Sequence, residues 1–200
     1  PTLVQDDYFR YKEQIYALYA DYSREYSERF SMQLGLRMEH TRTTGISEAK
    51  DTEDKHDYTR LFPTVYLLYS PTDGHALNFS FSNRISRPSQ NMVNPFPFYQ
   101  NKYTYACGRE DLKPSYTYNA ELGYTLKNNF NVSAYYSYSD DVFFQVVDLD
   151  AETNVTSFLW ENFMKTHAFE LNNSYTFRTK WLQAYAQHGV SYRRTTSSAV

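Results

Sequence analysis

The chain has 200 residues and a formal net charge of −3, from 20 Lys and Arg against 23 Asp and Glu. That length allows one domain with a sizeable core, and a slightly acidic chain whose Lys and Arg gather on no segment excludes a nucleic-acid surface. No run of about 18 apolar residues occurs, which excludes a transmembrane helix but not a membrane β-barrel, and the single Cys107 excludes an intrachain disulfide.

The opening "PTLVQDDYFRYKEQ" carries neither a basic n-region nor an apolar signal core. The expectation is a mature chain, a cytosolic one, or a piece cut from something longer. Tyr contributes 21 residues and Phe 14, yet Gly only 6. An aromatic chain that is polar on average fits alternating strands, where every apolar residue has a polar neighbour.

Eight strands are predicted, in chain order. They run from Gln14 to Tyr22, Arg29 to Thr43, Leu61 to Ser70, Ala76 to Ser86, Tyr116 to Leu126, Phe130 to Asp148, Val155 to Phe177 and Trp181 to Thr195. The seventh has an expected interruption near Glu161 to Met164, and Trp181 fits either face. In the second, Phe30, Met32, Leu34, Leu36 and Met38 alternate with Ser31, Gln33, Gly35, Arg37 and Glu39. Leu77, Phe79 and Phe81 do the same with Asn78, Ser80 and Ser82, and Tyr118, Ala120, Leu122 and Tyr124 with Asn119, Glu121 and Gly123. Side chains at period two face opposite sides of a strand, so each of these has one apolar and one polar face.

The polar segments "SREYSE" (23–28), "SPTDGH" (70–75), "KNN" (127–129) and "RTK" (178–180) read as tight hairpin turns. Between them lie long connections at 44–58 and 87–115 and an extended hairpin around "DLDAETN" (148–154). Short and long alternate along the chain. An antiparallel meander then carries its tight turns at one end and its long loops at the other, the asymmetry of outer-membrane barrels and not of Greek-key sandwiches. A strand of about 12 residues spans about 40 Å and, tilted by about 40°, still crosses a lipid-facing band roughly 25 Å tall.

Charge decides which face is which. Arg37, Glu39, Arg84, Glu121 and Glu170 all fall on the polar faces. An Arg on the lipid face at mid-bilayer would cost roughly 2–4 kcal/mol. The Phe, Leu, Met and Tyr face is therefore assigned to lipid and the charged face to a wet or plugged lumen. Tyr22, Tyr69, Tyr116, Tyr138 and Tyr175 near the strand ends suit interfacial girdles. The competing placement of the apolar face is the core of a soluble β-sandwich.

From Leu61 onward the stretches "LFPTVYLLYSP", "SFSNRISRPS", "NPFPFYQNKYTYACG" and "DLKPSYTYNAELGY" resemble the β-barrel portion of TonB-dependent outer-membrane receptors, in particular the Bacteroidetes-type outer-membrane barrel family. The resemblance rests on Arg84, Arg87, Pro88, Ser89, Asn94, Pro95, Phe96 and Tyr99, then on Asn101, Tyr103, Thr104, Tyr105 and Gly108. It continues through Leu112, Lys113, Pro114, Tyr116, Glu121, Leu122, Gly123 and Tyr124. "SMQLGLRMEHTRTTG" resembles the strand that precedes this block. "GREDLKPS" departs from the family, with Arg109, Glu110 and Asp111 in a turn where Gly-Asn-Pro is usual, and Ser115 in a Glu position.

The resemblance implies an all-β fold: about eight strands of a large barrel of about 22, with residues 1–200 forming a single barrel segment and the plug domain absent. It implies an outer-membrane receptor importing a scarce nutrient of the siderophore, cobalamin, glycan or peptide class. The partners it implies are outer-membrane lipid, a plug domain and the TonB complex outside this chain, and a surface lipoprotein. A small closed barrel or adhesin without active transport is the first alternative, and a soluble β-rich ligand-binding module the second. An isolated open sheet is expected to self-associate.

Catalytic chemistry has no foothold. The five histidines lie in no metal-ligand spacing, and no Ser–His or Cys–His arrangement has a supporting motif, so no cofactor and no enzyme activity are expected. Asp148, Asp150 and Glu152 approach a calcium-loop spacing but lack its Gly and distal Glu, and a solvated hairpin tip is expected there. Cys107 reads as an inert thiol. The candidate ligand contacts are Arg84, Arg87, Tyr99, Tyr103 and Tyr105, and the candidate lumen-facing charges are Arg37, Glu39, Glu121 and Glu170.

Overall fold

The computed structural model describes residues 9–47 and 52–197. Period-two alternation produces long strands: β1 (Phe9–Ser27), β2 (Phe30–Ser47), β3 (Thr52–Tyr69) and β4 (His75–Ser86). A short helix, α1 (Gln90–Val93), and a small hairpin, β5 (Phe98–Asn101) and β6 (Thr104–Cys107), follow. The chain then completes β7 (Ser115–Leu126), β8 (Phe130–Asp150), β9 (Val155–Arg178) and β10 (Gln183–Ser197). The long strands form one antiparallel meander, β1-β2-β3-β4-β7-β8-β9-β10, curled into half a barrel. No helix among the described residues is long and apolar enough to cross a membrane.

Partner residues of an antiparallel ladder share a face, so the register sorts side chains across the whole sheet. One row reads Tyr22, Leu34, Val65, Phe81, Ala120, Tyr136, Phe169 and Tyr192. The next row on that face reads Arg24, Met32, Leu67, Phe79, Leu122, Ala134, Leu171 and Val190. Between them, on the opposite face, lie Ser23, Gln33, Tyr66, Ser80, Glu121, Tyr135, Glu170 and Ser191.

The apolar face is a band oblique to the strands. On β2 it runs from Phe30 to Met38, and on β9 from Phe177 to Phe169, with Asn173 a polar exception. Phe169 shares the row of Leu34, two rows below Met38, and Phe177 lies two rows below the row of Phe30. Both borders thus slip four residues, about 13 Å, across five strand spacings of about 4.8 Å, a tilt of roughly 30°. That is near the strand tilt of membrane barrels. Leu34, Leu122, Phe169 and Leu171 are 36–54% exposed, so no second layer among the described residues covers them.

At one end the turns are tight, at residues 28–29, 70–74, 127–129 and 179–182. Trp181, 84% exposed, sits in the last of these and belongs to neither strand face. At the other end the predicted long loops around 44–58 and 148–154 are largely strand: β2 and β3 run on to Ser47 and Thr52, and β8 and β9 to Asp150 and Val155. What distinguishes the two ends is strand overhang, together with the single long connection 87–114. In β9 the expected interruption at 161–164 is a slip in pairing, not a break. The register with β8 shifts between Ser139, Val142 and Phe143, where Asp141 adopts φ 51°.

The ladder between β3 and β4 covers only Thr64–Tyr69 against Leu77–Ser82. It stops beside Pro63, which has no N–H to offer a neighbour. Above that point β3 and β4 diverge.

Candidate functional site

The connection 87–114 does not project outward. It crosses the concave face from one side of the sheet to the other. Near its start Phe96 meets Phe9 of β1 edge to face, ring centres 6.3 Å apart. Later β6 lies parallel to the outer end of β9, pairing Thr104–Cys107 with Thr156–Leu159.

Arg87, the first residue after β4, anchors this chord. Its Nη2 donates to Glu39 Oε2 at 2.7 Å and to Thr41 Oγ1 at 3.2 Å, and its Nε lies 3.5 Å from Glu13 Oε1. Glu39, with only 7% of its side chain exposed, is held from the other side by Arg37 at 3.3 Å. Arg37 in turn lies over the Phe62 ring at 4.7 Å. A carboxylate this buried needs such partners, since an unpaired buried charge is costly.

Beneath the chord is a cavity of about 200 Å³ whose lining includes Glu13, His56, Arg60, Arg87, Glu110 and Lys113. Its lining carries both acids and bases. Burial, then the charges of Glu13 and Tyr58, push the Tyr11 phenol beside this cavity up to about 12. The arrangement offers directional hydrogen bonding to a small polar solute and no nucleophile–base pair. Among the described residues no group of three His, Cys, Asp or Glu is placed to hold a metal ion.

The chord is locked at its middle by backbone contact. Gly108 N donates to Asn94 O and Arg109 N to Met92 O, each at 2.8 Å. A Cβ at Gly108 would fall 2.4 Å from Asn94 O and 2.6 Å from Met92 O, so only glycine fits. Cys107 Sγ donates to Pro95 O at 3.0 Å. Arg109 then pairs with Asp111 at 2.5 Å and with Glu161 of β9 at 3.2 Å. Hydrogen bonding from Arg109 holds the Asp111 carboxyl below its usual range. Asn162 of β9 accepts from Lys113 N at 2.7 Å and donates to Lys113 O and Asp141 O at 2.9 and 2.7 Å. It closes the chord onto the irregular point of the β8–β9 ladder.

The structure distributes the sequence candidates over three places. Arg87 lines the cavity under the chord, whereas Arg84 lines a separate hollow of about 490 Å³ with Asp21, Arg37 and Thr64. Tyr99 and Tyr105 pack against each other in the β5–β6 hairpin, centroids 5.6 Å apart, and Tyr103 at its tip is 61% exposed. Arg37, Glu39, Glu121 and Glu170 share the concave face. Glu13, Arg109 and Asn162 escape sequence reading, because their contacts with Arg87, Glu161 and Lys113 join residues distant in the chain. At the β8–β9 hairpin Asp150 Oδ1 accepts from Glu152 N at 2.9 Å, and Oδ2 accepts from Thr153 Oγ1 at 2.6 Å. That carboxylate caps its own turn.

Solved structures place this geometry. The siderophore receptor PirA from Pseudomonas aeruginosa superimposes with a TM-score of 0.59 at 12% identity, over 94% of this chain and 44% of its own. The copper transporter OprC does so at 0.64 and 14%, over 93% of this chain and 30% of its own. The FrpB iron transporter from Neisseria meningitidis (F5-1 variant) gives 0.60 and 17%, over 94% and 27%. The chain thus spans less than half the length of each. No curated protein matches it. The sequence matches the outer membrane protein beta-barrel family over residues 2–200, and neither that family nor these neighbours are enzymes. With its oblique apolar band and its concave charged face, the chain belongs to the outer membrane protein beta-barrel family and resides in the outer membrane of a Gram-negative bacterium.

Proposed function

We propose that the chain forms part of the wall and mouth of a TonB-dependent receptor that imports a scarce nutrient of the siderophore, cobalamin, glycan or peptide class. The observation that carries this reading is the inward chord 87–114, braced by Arg87 and Glu39 across the concave face. A wall that merely seals or adheres has no use for a segment narrowing its own opening. An import path that must hold solute before passing it on does. The fold shared with a siderophore receptor and with copper and iron transporters supports the same class.

In this reading residues 1–200 are one segment of a barrel domain, and Arg37, Glu39, Glu121 and Glu170 face a plug. Tyr99, Tyr103 and Tyr105, with Arg84 and Arg87, contact solute at the mouth. A surface lipoprotein would meet the rim where Phe98 and Leu149 are 73% and 62% exposed. An isolated chain, with open edges at β1 and β10, would self-associate. Among the described residues β1 and β10 make no ladder with each other, which favours a large barrel over a small closed one. The apolar band disfavours a soluble module.

The test is uptake. In cells carrying the protein, accumulation of the imported solute should stop when the gene is deleted and also when a protonophore collapses the inner-membrane gradient. Uptake indifferent to the protonophore would identify a passive barrel, and unchanged uptake in the deletion strain would reject transport altogether.

A further inference from the structure

β3 loses one of its two neighbours partway along. Its ladder with β4 covers Thr64–Tyr69, and the outer stretch Thr52–Phe62 is paired by main chain to β2 alone. Among the described residues no other main-chain hydrogen bond reaches that stretch. Alternate N–H and C=O groups along it therefore point away from β2, a template on which a further strand can form. The cavity under the chord lies along this open edge. His56, Tyr58 and Arg60 of β3 line it, together with Lys113 and Pro114 at the end of the chord and Tyr116 of β7. Arg60 reaches across the gap and lies over the Tyr116 ring at 5.1 Å.

Arg60 is the ladder partner of Glu39, so His56, Tyr58 and Arg60 belong to the concave face and not to the lipid face. Along the strand they span about 13 Å, the length of an extended tetrapeptide. Part of the charge around the cavity is already matched. Arg87 serves Glu39 and Glu13, and His56 lies 3.0 Å from Asp54. Glu110, Asp141 and Lys113 line the same cavity and enter no ion pair among the described residues. Unspent charge of both signs thus borders an unpaired main-chain edge.

We propose that this edge and cavity form a subsite for short peptides, whose main chain adds to β3 as an extra strand. The unspent carboxylates of Glu110 and Asp141 receive the peptide's ammonium, Lys113 and Arg60 its carboxylate, and Tyr58 and Tyr116 offer ring faces to its side chains. Main-chain pairing to an open edge binds an extended peptide whatever its sequence, which a nutrient receptor for mixed peptides requires. A glycan brings neither charged termini nor a run of amides. A ferric catecholate complex is wholly anionic and would be repelled by the unspent carboxylates. This inference rests on the import reading and narrows its solute class.

Calorimetric titration of the full-length protein in detergent with tetra-alanine tests it. Tetra-alanine is expected to bind, and its analogue methylated on the amide nitrogens to bind about tenfold or more weakly, having no N–H to give the β3 edge. Lys113→Gln should weaken tetra-alanine about fivefold or more, yet leave its C-terminal amide unaffected, because the charge lost then has no partner to miss. Failure of tetra-alanine to bind, equal binding of the methylated analogue, or tighter binding of maltotetraose or a ferric tris-catecholate would overturn the peptide assignment and leave the import reading standing. Tetra-alanine that binds as expected, but enters cells carrying the protein despite a protonophore, would keep the subsite and reject active import.

Discussion

Arg87 and Glu39 lie 48 residues apart in sequence and 2.7 Å apart in space. This pair ties the start of the chord to the second strand at a point where Glu39 is nearly dehydrated. Breaking a buried pair from one side costs roughly 3–5 kcal/mol. Because Arg37 stays 3.3 Å from the same carboxylate, Arg87→Met is expected to cost less, about 2 kcal/mol. The measurement is thermal unfolding in detergent. Adding Glu39→Gln should recover part of the loss, because the stranded charge is then gone. A double variant as unstable as the sum of the two singles would deny the coupling.

The face assignment has its own test. Leu122→Arg places a charge in the lipid band, at roughly 2–4 kcal/mol near mid-bilayer. Ser80→Arg places the same charge beside Glu121, its neighbour in the ladder on the concave face. Folded protein in isolated outer membranes should fall sharply for the first and stay near wild type for the second. The reverse order would invert the sheet.

Gly108→Ala should loosen the chord, because its new Cβ meets two backbone oxygens that cannot swing away. Cys107, the chain's single thiol, reports on it directly: maleimide labelling at Cys107 should speed up in the variant. A labelling rate equal to wild type would show that the contact with Asn94 and Met92 does not hold the segment.

Acid should act at the other anchor. Arg109 lowers the Asp111 pKa, so this pair contributes stability that is present above the ordinary carboxylate range, near pH 4, and is lost as pH falls through the depressed value. Protease cleavage within 87–114 should rise below about pH 4. In Asp111→Asn that acid-dependent increment should be missing. Asp111 is 62% exposed, so the effect is small and weakens with salt.

The eight long strands were legible in the sequence wherever one face meets lipid and the other meets water, as in Phe30–Met38 or Leu77–Phe81. Beyond Met38 that contrast fades. Thr43, Thr44, Gly45 and Ser47 are strand residues with no greasy side, and so are Glu53 through Asp57, because both of their faces lie outside the band. Main-chain pairing extends those strands, helped by ion pairs such as Arg42–Asp57, and it leaves no alternation to read. The β5–β6 hairpin was hidden for a related reason: four-residue strands are too short to show a period. Arg87 was legible as a candidate, but Glu13, 74 positions earlier in the sequence, was not. Asn162, which holds two distant backbone segments together, gives no local signal whatever.

Pro63 marks where the ladder between β3 and β4 ends. Above it the outer rim is two separate blades, one built from β1 to β3 and the other from β4 and β7 to β10, joined there by the chord and by Arg60 of β3 over the Tyr116 ring of β7, not by a continuous sheet. The blades can splay at this seam without breaking any strand-to-strand hydrogen bond. The aperture of the mouth is thereby governed by side-chain latches, those of the chord and Arg60 on Tyr116, while the ladders below it remain shut.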